Sequence, residues 1–154
     1  MKEHIKKIKK DIEIIKKRIV VKTPTHFSLY HIFVSFFGAL ILGQTFVLKG
    51  LLYTVSYNLD IGHIIIIILA TLSVLSAEIY YIGYKRVLKK EKRPFGQFWF
   101  KRITTYFIIA FLVSFGLIFL YNMNSTLIHT LKIAVAMSFP CAVGASLSDL
   151  VERY

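Results

Sequence analysis

Four long apolar stretches divide this chain, and the segments between them are alternately loaded with and empty of Lys and Arg. The stretches run over residues 27–48, 61–84, 103–120 and 127–147. Each falls within the roughly 17–25 residues that a helix needs to cross a hydrocarbon core of about 30 Å. The pattern predicts an all-α membrane protein: four transmembrane helices as two antiparallel hairpins, preceded by a basic amphipathic N-terminal helix.

Composition narrows the class further. At 154 residues, 56% hydrophobic and a mean hydropathy of +0.62, the chain is too apolar for an ordinary soluble domain. The spans occupy more than half of it, so no separate catalytic globule fits. The expected organisation is a cytoplasmic basic helix over 1–22 and a four-helix transmembrane domain over 23–154. A formal charge of +12 could suggest a polynucleotide, but its distribution does not. Nine of the 20 basic residues lie in 1–22, eight lie in 85–102, and only Lys49, Lys132 and Arg153 fall elsewhere. Both clusters abut apolar spans, where anionic lipid headgroups account for them. The expected partner is therefore the bilayer with its anionic headgroups, and no nucleic acid.

Orientation follows from the same asymmetry. The amino-terminal arm and the middle loop are basic, which puts both in the cytoplasm. Residues 54–60 and 121–126 carry no Lys or Arg and should form the outer turns. An even number of spans returns the carboxyl end, Asp149 to Tyr154, to the cytoplasm of a multi-pass cell-membrane protein. The first apolar run exceeds a signal h-region and lacks a small-x-small cleavage pattern, so it should stay in the mature protein. Cys141 is the single cysteine. A disulfide within the chain, a CxxC redox pair and a thiolate zinc cage are all excluded, and with them thiol oxidoreductase chemistry.

The arm itself reads as a helix. Ile5, Ile8, Ile12, Ile15 and Ile19 recur at spacings of 3 and 4 among lysines. Two readings stay open: a helix lying on the inner leaflet, or the seam of a homo-oligomeric coiled coil with Ile at both core positions. Thr23-Pro24-Thr25 should break the helix before the first span. In the middle loop, Pro94 and Gly96 should turn the chain. Phe95, Phe98, Trp99 and Phe100 beside Lys101 and Arg102 then read as an interfacial elbow, with rings at headgroup depth and cations reaching phosphate.

Polar groups inside the spans are the candidate site. In the first span His31, Ser35, Gly38, Leu42, Thr45 and Lys49 share a face. In the fourth, Ser138, Cys141, Ala145 and Ser148 form a small-residue packing face with Ala134, which marks that helix as the central one. The third span, nearly all apolar, should face lipid over much of its surface. Glu78 lies about 8 Å to the cytoplasmic side of the midplane by helix rise, and His31 about 10 Å. A carboxyl at that depth has to be paired, protonated or wet. Glu78 and His31 are expected to meet, with Thr71, Ser35 or Ser148 adding hydrogen bonds. The pair reads either as a proton or small-ion site or as a structural contact. Pro140 is a candidate helix kink. His63, His129 and Lys132 with Asp60 are expected to be solvated ends rather than a metal site.

The segments HFSLYHIFVSFFGALILGQTFVLKGLL (26–52) and KIAVAMSFPCAVGASLSDLV (132–151) resemble a prokaryotic, notably archaeal, family of small integral membrane proteins described as a domain of unknown function. The resemblance rests on FGALILG at 37–43 and FPCAVGASLSDL at 139–150. It implies a multi-span membrane protein and brings no reaction or site residue with it.

No HExxH, nucleophile elbow or aspartate pair is present. We therefore expect no enzyme, no catalytic residues, no cofactor and no bound metal. The leading expectation is a non-enzymatic membrane assembly or anchoring protein. The alternative is a small oligomeric channel or ion- or proton-coupled transporter using Glu78 within the membrane.

Overall fold

The computed structural model describes residues 29–84, 95–123 and 126–153, together with Ile12. The expected arm helix over 1–22, the break at 23–25 and the turn at Pro94 lie outside the described residues. Every element is helical: α1 (Leu29–Leu48), α2 (Leu51–Tyr57), α3 (Ile61–Glu78), α4 (Phe95–Leu120) and α5 (Leu127–Arg153). A π-helical turn, Ile79–Gly83, extends α3. Among the described residues, four helices are long and apolar enough to cross a bilayer: Leu29–Leu48, Ile61–Gly83, Phe95–Leu120 and Leu127–Val151.

Local chemistry explains where the helices stop. Gly50 takes a left-handed φ of 67° and its N–H bonds to the Val47 carbonyl at 2.9 Å, ending α1. At the end of α4, Asn122 does the same with φ 51°. Its N–H reaches Phe119 O at 3.2 Å and that of Met123 reaches Ile118 O at 2.9 Å, the paired bonds of a Schellman cap. Residues 54–60, expected as a bare turn, mostly belong to α2 instead. Backbone groups at that end are satisfied within one short helix rather than by an open loop.

α5 is the hub. It packs against all four other helices, whereas α1 and α3 scarcely touch each other. About 61% of the α5 span is buried against 17% of the α3 span, so α3 is the most peripheral. Contacts set the directions: Gly43 lies by Cys141 and Leu117, Tyr106 bonds to Asp149, Ser76 bonds to Trp99, and Gly83 lies by Leu150. Hence α1 and α4 run one way, and α3 and α5 the other.

One expected face, that of α1, is corrected. In α4, Ile108, Leu112, Phe119 and Leu120 are exposed, and the other face buries Tyr106, Ala110, Val113, Ser114, Leu117 and Ile118. In lipid, an apolar side chain gains nothing by being outside, so bulk alone places it in the gap between neighbours. The inner face of α1 follows spacing 4 (His31, Ser35, Ala39, Gly43, Val47). That leaves Thr45 and Lys49 exposed, Thr45 returning its hydroxyl to Ile41 O at 2.9 Å.

The closest approach is between glycines. A Cβ built on Gly38 would collide with the Gly144 carbonyl oxygen and with Ser148, and one on Gly144 with the Gly38 carbonyl. At Gly43 a Cβ would stand 2.6 Å from Cys141 Sγ and 2.9 Å from Leu117 Cδ1. Absent side chains let the α1 and α5 backbones meet, and dispersion over that contact holds them.

Candidate functional site

Most of the inter-helix polar contacts gather at the end of the bundle that carries His31. Asp149, fully buried on α5, takes the Tyr106 hydroxyl of α4 on Oδ2 at 2.5 Å. Its Oδ1 lies 2.9 Å from His31 Nδ1 of α1. That oxygen sits off the ring N–H axis, so the His31–Asp149 contact is a close polar approach rather than an aligned hydrogen bond. Three helices are thereby joined through one carboxylate. A buried carboxylate is tolerable only when so supplied.

One step around α5, Ser146 donates its hydroxyl to Glu78 Oε2 at the last α-helical residue of α3. Glu78 is half-buried, and the π-helical turn begins directly after it. Trp99 Nε1 donates to Ser76 Oγ at 2.9 Å, tying α4 to α3. Ser148 Oγ donates to Val34 O at 3.0 Å across the glycine contact.

These placements revise the expected pair. His31 does not meet Glu78: the helices that carry them pack on different parts of α5, so each finds its partner there. Thr71 is fully buried and returns its hydroxyl to Ile67 O at 2.7 Å, reaching neither residue. Ser35 is fully buried one turn above His31, with no hydrogen-bond partner for Oγ. Of the α5 stripe, Ser138 is buried and bonds back to Val135 O at 2.7 Å, Cys141 lies against Gly43 and Ser114, and Ala145 is fully buried. Pro140 is buried within a helix that runs unbroken from Leu127 to Arg153.

Asp149 is the residue that sequence reasoning missed, having been counted with the cytoplasmic carboxyl end. A signal existed. The small-residue stripe at Cys141 and Ala145 continues at spacing 4 onto Asp149, which places its carboxylate on the packing face.

The opposite end also departs from expectation. His129 and Lys132 are not solvated. His129 is buried, packs against Tyr57 with ring centroids 3.9 Å apart and bonds through Nε2 to Ser56 Oγ at 3.0 Å. The Ser56 proton goes to Tyr53 O at 2.7 Å, which makes the imidazole the donor. Lys132 Nζ donates to Leu59 O at 2.6 Å. Both side chains fasten α2 and its following turn to α5. His63 and Asp60 are exposed, and no cluster of metal-ligating side chains occurs among the described residues.

No curated protein and no solved structure matches the chain. The integral-membrane-protein family DUF2391, a domain of unknown function, matches residues 3–151. With nearly the whole sequence covered and four apolar helices long enough to span, the chain belongs to this family of integral membrane proteins.

Proposed function

We propose that this protein is a non-enzymatic membrane assembly or anchoring protein: a stiff four-span bundle that holds a basic face against anionic headgroups of the cell membrane. In this reading the spans form two antiparallel hairpins within residues 23–154. A basic amphipathic helix over 1–22 precedes them, and both termini are cytoplasmic. The observation that carries it is Asp149, whose carboxylate is spent on joining α1 to α4 through His31 and Tyr106. Ser148, Trp99 and Lys132 likewise serve as fasteners between elements. Polar groups used this way favour a fixed scaffold over a pathway. The basic arm then supplies a partner, either anionic lipid or further copies of the chain.

A second reading, a channel or an ion- or proton-coupled transporter, has one observation in its favour. Glu78 is half-buried on the bundle wall beside a π-helical turn, an irregularity that often accompanies functional sites.

Reconstitution decides between them. For a scaffold, proteoliposomes leak protons and monovalent cations no faster than protein-free vesicles. Removing residues 1–22 then changes oligomer mass in detergent or abolishes salt-sensitive binding to anionic vesicles. Flux that Glu78→Gln abolishes, at unchanged expression and oligomer size, gives the protein to the second reading.

A further inference from the structure

Arg102 is the one buried cation of the His31 end whose charge finds no carboxylate among the described residues. Its side chain is 4% exposed, and Nη1 has no hydrogen-bond acceptor. The guanidinium carbon lies 4.1 Å over the Phe98 ring, one turn earlier on α4. Gly83, closing the π-helical turn of α3, lies beside it. A Cβ there would stand 3.3 Å from Arg102 Nη1, 3.1 Å from Leu150 Cδ2 and 3.4 Å from the Phe98 ring. The cation is therefore held in a notch made of an aromatic face, a leucine and a backbone without a side chain.

The two carboxylates nearby in the bundle are already engaged, Asp149 by His31 and Tyr106, and Glu78 by Ser146. A cation gains less over an aromatic face than an enclosed, unmatched charge costs. An anion is the missing member. The notch lies at the mouth of the bundle, with the Tyr84 and Phe95 rings 4.9 Å apart beside it and Trp99 tied to Ser76. Aromatic side chains of this kind sit at headgroup depth. Leu150 Cδ2 is the atom nearest to a Cβ placed at Gly83, so the far end of a flexible side chain borders the notch.

We propose that Arg102 and the notch at Gly83 form a binding site for a phosphate oxyanion, supplied by an anionic phospholipid headgroup or by soluble phosphate. The guanidinium fork matches phosphate oxygens in a way an ammonium does not. The site rests on the anchoring reading above and turns its diffuse attraction for anionic headgroups into one residue-specific contact.

Trp99, the single tryptophan, is three residues from Arg102 and reports on the notch. The full chain in neutral detergent is titrated with brominated phosphatidylglycerol and, separately, brominated phosphatidylcholine, reading Trp99 quenching. Half-quenching is expected at a roughly tenfold lower mole fraction of phosphatidylglycerol. Arg102→Gln should bring the two lipids within about twofold, and Arg102→Lys should fall between. Lys101→Gln, an exposed neighbour, should keep the preference. Gly83→Ala narrows the notch without changing charge and should weaken the preference, so it carries the test if Arg102→Gln fails to fold.

A preference that survives both Arg102→Gln and Gly83→Ala overturns the site. So does a preference lost equally with Lys101→Gln, which would mean diffuse attraction while leaving the anchoring reading intact. In a competition arm, millimolar inorganic phosphate that displaces the brominated phosphatidylglycerol assigns the site to a soluble ligand; no displacement assigns it to lipid. Conversely, Glu78-dependent flux with an unchanged quenching ratio removes the anchoring reading and keeps the site.

Discussion

The Tyr106 hydroxyl reaches Asp149 Oδ2 at 2.5 Å, and neither residue has any exposed surface. Two helices are thus tied by a hydrogen bond between fully buried groups, where a bond left unmade is costly. Tyr106→Phe should cost about 1–3 kcal/mol of stability by leaving the carboxylate short of a donor. Asp149→Ala should cost more, about 3–5 kcal/mol, since His31 and Tyr106 both lose their contact with the carboxylate. Thermal denaturation in detergent measures both. A Tyr106→Phe/Asp149→Asn double-mutant cycle should give at least about 0.5 kcal/mol of coupling; additive losses would mean that the bond contributes nothing of its own.

The glycine contact separates positions that look alike in sequence. Gly38→Ala forces the α1 and α5 backbones apart and should destabilise by about 1–3 kcal/mol. Gly116 has nothing within 4 Å of an added Cβ. Gly116→Ala should be neutral or stabilise by up to about 1 kcal/mol through helix propensity. Melting temperatures of the two variants, taken side by side, check the contrast.

At the other end, His129→Ala removes the ring packed against Tyr57 and the bond to Ser56. We expect α2 to detach while the four long helices persist. Hydrogen exchange over residues 51–57 should accelerate by about tenfold or more, with little change over residues 103–120. Uniform acceleration of both segments would instead tie α2 to global unfolding.

Topology is open to direct labelling because Cys141 is fully buried and gives little background. Asn58→Cys, in the turn after α2, should react with an impermeant maleimide in intact cells. Gln97→Cys, exposed on the first turn of α4, should react only after permeabilisation. The reverse pattern would invert the bundle and move the basic segments outside.

The sequence by itself determined the class and the spans. Hydropathy summed over about 20 residues responds to the bilayer alone, so the four helices are legible without knowledge of any neighbour. The small residues of α5 were legible for a related reason: a stripe at spacing 4 shares one face whatever packs there. What only the tertiary structure decided is which groups meet. His31 turns to Asp149 and not to Glu78, α5 is the hub and α3 peripheral, and His129 and Lys132 are fasteners rather than solvated ends. Each outcome depends on the rotation of a helix about its axis and on the identity of the helix beside it. In lipid that choice is made by close packing and by polar groups seeking partners; a period in the chain marks which face packs but not which helix it meets.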